Sequence, residues 1–319
     1  MWSAGFVALL VVVSANLVAR RSPYFHGRAA GSGSSSSSSS SDGDGDVVGG
    51  GGGQVGDWAD HPVKLVSTPW AKTQKDDIFT TAATHMALLH NALIRGFNSI
   101  YLQAEHIPRG QVDEFIGYAL TWHKFIVSHH DDEEDKLFPD VVAILRDESV
   151  WGDMHSEHES FLPGLEAYAA HLRTHNSTTG LNAPQLLAIM DSFRSAFENH
   201  LHHEIDVMSA MAAHPYAPAR DTLKGSLASD MLKRWGKQTV MRAGIADVVP
   251  FFLLNTDRAF EHGSWVRWPR MPEPVRWVLV NVVGAWHGER WRFASCDAAG
   301  LPRPLYALRT REEKQRSEL

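Results

Sequence analysis

Cysteine is nearly absent from this chain of 319 residues. The single Cys296 cannot close an intrachain disulfide, and it excludes every cysteine-rich zinc or iron–sulfur framework. Any metal held here must take nitrogen and oxygen ligands. An excess of cations is lacking too: thirty Lys and Arg stand against thirty-seven Asp and Glu, a formal net charge of −7. That balance leaves no basic surplus for gripping phosphates and argues against a nucleic-acid partner. No internal repeat is visible, which excludes solenoids and propellers.

The apolar run that most resembles a targeting or membrane element lies at the N-terminus. Residues 1–19 contain no Asp, Glu, Lys or Arg, and Gly5 to Val13 followed by Ser14 and Ala15 reads as a secretory signal. Continued to Ala19 and stopped by Arg20 and Arg21, the same run reads as a signal anchor, with the remainder cytoplasmic. Arg20, Arg21 and Arg28, with no acid before Asp42, leave a mitochondrial presequence as a third reading. A membrane is met only through this segment, if it is not cleaved. Residues 20–75 are read as a linker, because Ala29 to Asp57 is almost pure Gly, Ser and Asp and cannot bury a core.

What the chain does have is 44% apolar residues, enough for a core, and 18 histidines, 13 of them between His85 and His203. Apolar periodicity over 76–213 predicts four long helices, with breaks at Pro108 to Gly110, Asp147 to Gly152 and Asn176 to Pro184. Asn182 is the expected N-cap of the fourth, with Pro184 in its first turn. Short connections suggest an all-α, antiparallel up-down bundle. Residues 214–319 form a helical extension carrying five of the eleven tryptophans from Trp265 onward, expected to pack on the bundle.

Positions three, four and seven apart share a helix face. On that rule His90 joins Met86, Leu93 and Phe97, and His129 joins Trp122, Phe125, Ile126 and Leu137. His158 joins Met154, Phe161 and Leu165, and His200 joins Phe193, Phe197 and Val207. Each predicted helix thus turns one histidine inward. Glu133 and Glu204 follow His129 and His200 by four residues and face the same way. Buried carboxylates among imidazoles are compensated most simply by a metal.

The stretches His90 to Gly96, His129 to Glu134 with Leu137-Phe138-Pro139, Glu157-His158-Glu159 and His200 to Glu204 resemble, in this order, the hemerythrin-like or HHE cation-binding domains. The tail, at Glu289 to Ala294 and Leu305 to Leu308, is similar to the extension of fungal hemerythrin-like proteins. The resemblance implies a carboxylate-bridged di-iron centre that binds dioxygen, another small diatomic ligand or peroxide, or that senses iron or redox state. His90, His129, His158 and His200 would be its nitrogen ligands, with Glu133 and Glu204 bridging. Zinc is the alternative metal, since the same donors suit it. Oxygen-carrying members use a His-x-x-x-His pair on the third helix, whereas here Leu162 follows His158, and Pro163 comes next. One histidine is therefore missing, which favours sensing or redox chemistry over storage and leaves an oxidase or peroxidase-like enzyme, or a metal-free interaction module, as alternatives.

The remaining histidines are expected elsewhere. His85 lies far round the helix from His90 and is read as surface or supporting. His130 with Glu134 is the rival to His129 with Glu133. His155 is a possible substitute ligand, His202 and His203 flank the site, and His106, His123, His171 and His175 are read as exposed.

Overall fold

The computed structural model describes residues 58–309; the N-terminal run read as a targeting segment and the Ser/Gly stretch read as a linker lie outside them. Among the described residues there are helices and loops, with two isolated β-bridges and no strand. We number the helices α1 (Pro69–Thr73), α2 (Ile78–Gln103), α3 (Val112–Asp132), α4 (Phe138–Leu145), α5 (Met154–Arg173), α6 (Ala183–Ala210), α7 (Leu223–Ala243), α8 (Val248–Asn255) and α9 (Glu273–Val278). None is long and apolar enough to cross a membrane.

The long helices start where side chains can satisfy their free N–H groups. Asp77 accepts from Thr80 N at 2.8 Å ahead of α2, and Asn182 accepts from Gln185 N at 3.3 Å ahead of α6, with Pro184 behind it. The helix that the sequence predicts as the second is α3 and α4 joined by a π turn, Glu133–Leu137. Pro139 supplies the physical reason: it lacks an N–H, and its ring crowds the carbonyl of Asp135 four residues earlier. The extra residue in the turn changes the direction of every side chain on it. Proline does not break α5, which runs through Pro163; beside it, a Cβ on Gly164 would lie 2.6 Å from Phe193.

Helices α2, α3, α5 and α6 pack around Phe97, Trp122, Phe193 and Phe197, whose rings meet at 5.6–6.4 Å. Helices α7 and α8 close the other side of α2 and α3. Gly96 permits this, since a Cβ there would come within 2.6 Å of Phe251 and 2.8 Å of Trp122. Of the tail tryptophans Trp291 is buried and Trp268 packs on Phe252, while Trp277 and Trp286 are exposed.

Residues 58–68, within the stretch 20–75 read as a linker, form a strap bound to α2. Asn91 and Asn98, two turns apart and fully buried, do the binding. Asn91 accepts from Val66 N (2.7 Å) and donates to Val66 O (2.9 Å). Asn98 accepts from Val63 N (2.9 Å) and donates to the carbonyls of Ala59 and Val63. A buried amide needs partners, and the strap's backbone provides them.

Candidate metal centre

All six predicted donors converge. His90, His129, Glu133 and Glu204 form one group, and Glu133, His158 and His200 a second, with ligand atoms inside each group within 4.8 Å of one another. Every member is at most 4% exposed, so water does not solvate these charges. Helix α2 contributes His90, α3 His129, the π turn Glu133, α5 His158, and α6 both His200 and Glu204.

The hydrogen bonds point the imidazoles' free nitrogens inward. Nδ1–H of His90 donates to Leu201 O (2.9 Å), that of His158 to Glu134 Oε1 (2.6 Å), and that of His200 to Glu157 Oε2 (3.2 Å). Each bond leaves Nε2 as a lone pair facing the site, the arrangement that fixes the tautomer of a metal-binding histidine. His90 Nε2 then lies 3.2 Å from His129 Nε2 and 3.2 Å from Glu204 Oε2. Neither oxygen of buried Glu204 has a hydrogen-bond partner, nor does Glu133 Oε1. Buried acceptors facing acceptors are costly, and a cation among them removes the cost. The donor set therefore fits a metal ion held by nitrogen and oxygen.

Charge follows the same geometry. Burial, then Glu204, pushes the Glu133 carboxyl well above the usual carboxylate range. Burial also acts on Glu204, but the His90 contact and the surrounding imidazoles outweigh it and bring that carboxyl down to about 2. Burial drives His129 well down and His200 to about 3, which leaves both neutral, as ligation requires. A void of about 10 Å³ lies among His129, Glu133, His158 and His200 and is walled by Ile126, Phe161 and Phe197. It admits something the size of one water molecule.

The other histidines divide differently than the sequence suggests. His129 and Glu133 belong to the buried groups above, whereas His130 and Glu134 form a third group with His158, in which His130 and Glu134 are half-buried. Glu134 accepts from His158 Nδ1 and its other oxygen lies 2.5 Å from His155 Nδ1, while the His130 ring lies 4.3 Å from that of His158. His155 is 65% exposed and stays outside both groups. His203 Nδ1–H donates to Glu157 Oε1 at 2.6 Å, so it acts on His200 through Glu157. His171 is buried, against expectation, with Nε2 3.2 Å from Asn182 O. The sequence presents Glu134 only as a rival ligand and Glu157 only as part of a motif; the bonds by which they support His158 and His200 are not legible in it. The only signal for them was their place beside a predicted ligand.

Residues 81–212 match the family model of the Hemerythrin HHE cation binding domain. This segment is a hemerythrin HHE domain. The chain is also similar to the "Dimeric xanthone biosynthesis cluster protein R11" of Cryptosporiopsis sp. (strain 8999), 28% identical over 265 residues, covering 81% of this chain and 96% of that one. An alignment of that length runs beyond the HHE domain, so part of the flanking sequence is shared as well. No solved structure matches the chain.

Proposed function

We propose that the HHE domain, as an antiparallel bundle of α2, α3, α5 and α6, holds two carboxylate-bridged non-haem iron ions. They would bind dioxygen or another small ligand, or report redox or iron status. Glu133 carries this reading. Its Oε1 lies 2.9 Å from His129 Nε2 in the first group, and its Oε2 lies 3.6 Å from His158 Nε2 in the second. One carboxylate thus offers an oxygen to each of two neighbouring cation positions. Glu204 belongs to the first group only, with His90, His129 and Glu133. Iron supplies reversible small-ligand binding or a change of oxidation state; the chain orients the imidazoles, and the apolar walls of the void keep bulk water away.

The second group also favours an enzymatic reading. Two histidines and one carboxylate leave coordination positions open, as in reactive non-haem iron sites. A relative named for a biosynthesis cluster is consistent with such a role.

Metal analysis of the full chain purified without added metal tests the proposal, comparing wild type with His129→Ala and Glu204→Ala. About two irons per chain, reduced in both variants, is the expected result. One zinc per chain, or no metal in any form, overturns it. Oxygen added to the reduced protein then separates a stable, reversible spectrum from oxidation with peroxide turnover.

A further inference from the structure

A second cavity, of about 430 Å³, lies between the N-terminal half of α2, α7, α8 and the loop 268–271, with walls unlike those of the metal centre. The HHE match ends before α7, so much of this cavity is built by the extension. Trp235, Trp268 and Phe252 provide flat aromatic surface, and Met86, Met208 and Met241 provide adaptable filling. The charged groups along it are all of one sign. Arg220, Lys233, Lys237 and Arg270 line it, and no carboxylate does among the described residues, in a chain of net charge −7. Arg220 is paired with Asp76 at 2.5 Å; Lys233 and Arg270 are exposed at the cavity.

We propose that this cavity binds an aromatic organic anion, a carboxylate or phenolate of two or three fused rings. The rings would lie against Trp235 and Trp268, and the anionic group would meet Lys233 and Arg270. The volume is within the range of pockets that enclose small organic ligands. Rings suit it better than a flexible chain, since aromatic faces offer stacking area without loss of ligand freedom. His85, on the same wall, is held neutral: burial, then Arg270 and Lys233, pushes it down to about 4. It is thus a neutral hydrogen-bonding group at neutral pH. The site is distinct from the 10 Å³ void, and Trp235 packs between its wall and His129. Trp235 lines the cavity, its ring centre is 5.9 Å from that of His129, and its Nε1–H donates to Asp132 O at 3.1 Å. The proposal rests on the lining of the cavity and does not require the metal reading.

Calorimetric titration of the full chain as purified tests it, with 2-naphthoate as the anion, 2-naphthalenemethanol as its neutral counterpart and laurate as an aliphatic anion. Two variants control the site. Lys233→Glu alters an exposed residue and reverses one charge. Gly236→Leu fills the cavity from α7, where a new Cβ meets nothing within 4 Å and leucine favours the helix. Circular dichroism checks that both retain their helices. The expected result is saturable binding of 2-naphthoate, weakened about threefold to tenfold by Lys233→Glu and abolished by Gly236→Leu, with both other probes binding more weakly. No saturable binding of 2-naphthoate by wild type up to about 1 mM overturns the proposal. So does equal or tighter binding of the alcohol or laurate, or unchanged affinity in a folded Lys233→Glu variant.

Discussion

The two cavities on either side of Trp235 are opposites in size and charge. The smaller, about 10 Å³, is lined by buried imidazoles and the Glu133 carboxyl, whose Oε1 has no hydrogen-bond partner. The larger, about 430 Å³, is apolar, and its charged lining is cationic. Lone pairs confined without solvent create a demand for a positive ion, while a row of cations over aromatic rings excludes one and favours an organic anion. One helical framework thus builds two opposite electrostatic sites by controlling which residues lose water.

Glu133→Ala tests the first side of that comparison and carries the largest expected effect. Because Glu133 belongs to both donor groups, its removal is expected to strip nearly all bound metal, whereas His200→Ala should retain metal in the first group. Elemental analysis of both variants checks this; equal losses would argue against two separable positions. Trp235→Ala removes the part of the larger cavity's wall that packs on His129. Deleting a buried indole that also donates to Asp132 O is expected to cost about 3 kcal/mol, read from denaturant unfolding. Loss below about 1 kcal/mol would mean that the wall is not packed as described.

Smaller effects are expected from the groups behind the ligands. Glu134→Gln and Glu157→Gln leave His158 and His200 with weaker acceptors and should each lower metal affinity about tenfold, measured by chelator competition. Both act on the second group, so the first should hold its metal unchanged. The smallest effect belongs to His85. Its folded pKa of about 4 lies below the ordinary 6.5, so between those values the unfolded chain takes up a proton that the native one refuses. Stability should therefore fall as pH drops from 6.5 towards 4, by at most about 1.4 kcal/mol per pH unit for this group. His85→Gln should flatten the slope in denaturation curves taken across that range, and an unaltered slope would place His85 in water.

Much of the metal centre is legible in the sequence because a helix has a fixed rotation per residue. His90, His129, His158 and His200 lie on apolar stripes, and Glu133 and Glu204 follow their histidines by one turn. What periodicity cannot register is a change of period. The π turn at Glu133–Leu137 turns Glu133 into the site and leaves Glu134 bonded to His158 Nδ1, a placement that a regular helix would not give. The strap 58–68 was hidden for another reason. Its composition shows little, and the groups that order it, Asn91 and Asn98, are on another element.

By itself the sequence determined the helical class, the exclusion of thiolate metal chemistry and the inward set of imidazoles and carboxylates. These depend on composition and on local geometry that repeats along the chain. Tertiary structure alone decided which imidazole nitrogen faces the site, that Glu133 serves both donor groups, and that His85, Lys233 and Arg270 meet at one cavity. Such relations join residues far apart in the chain, and only packing sets the distances and the loss of water on which their chemistry depends.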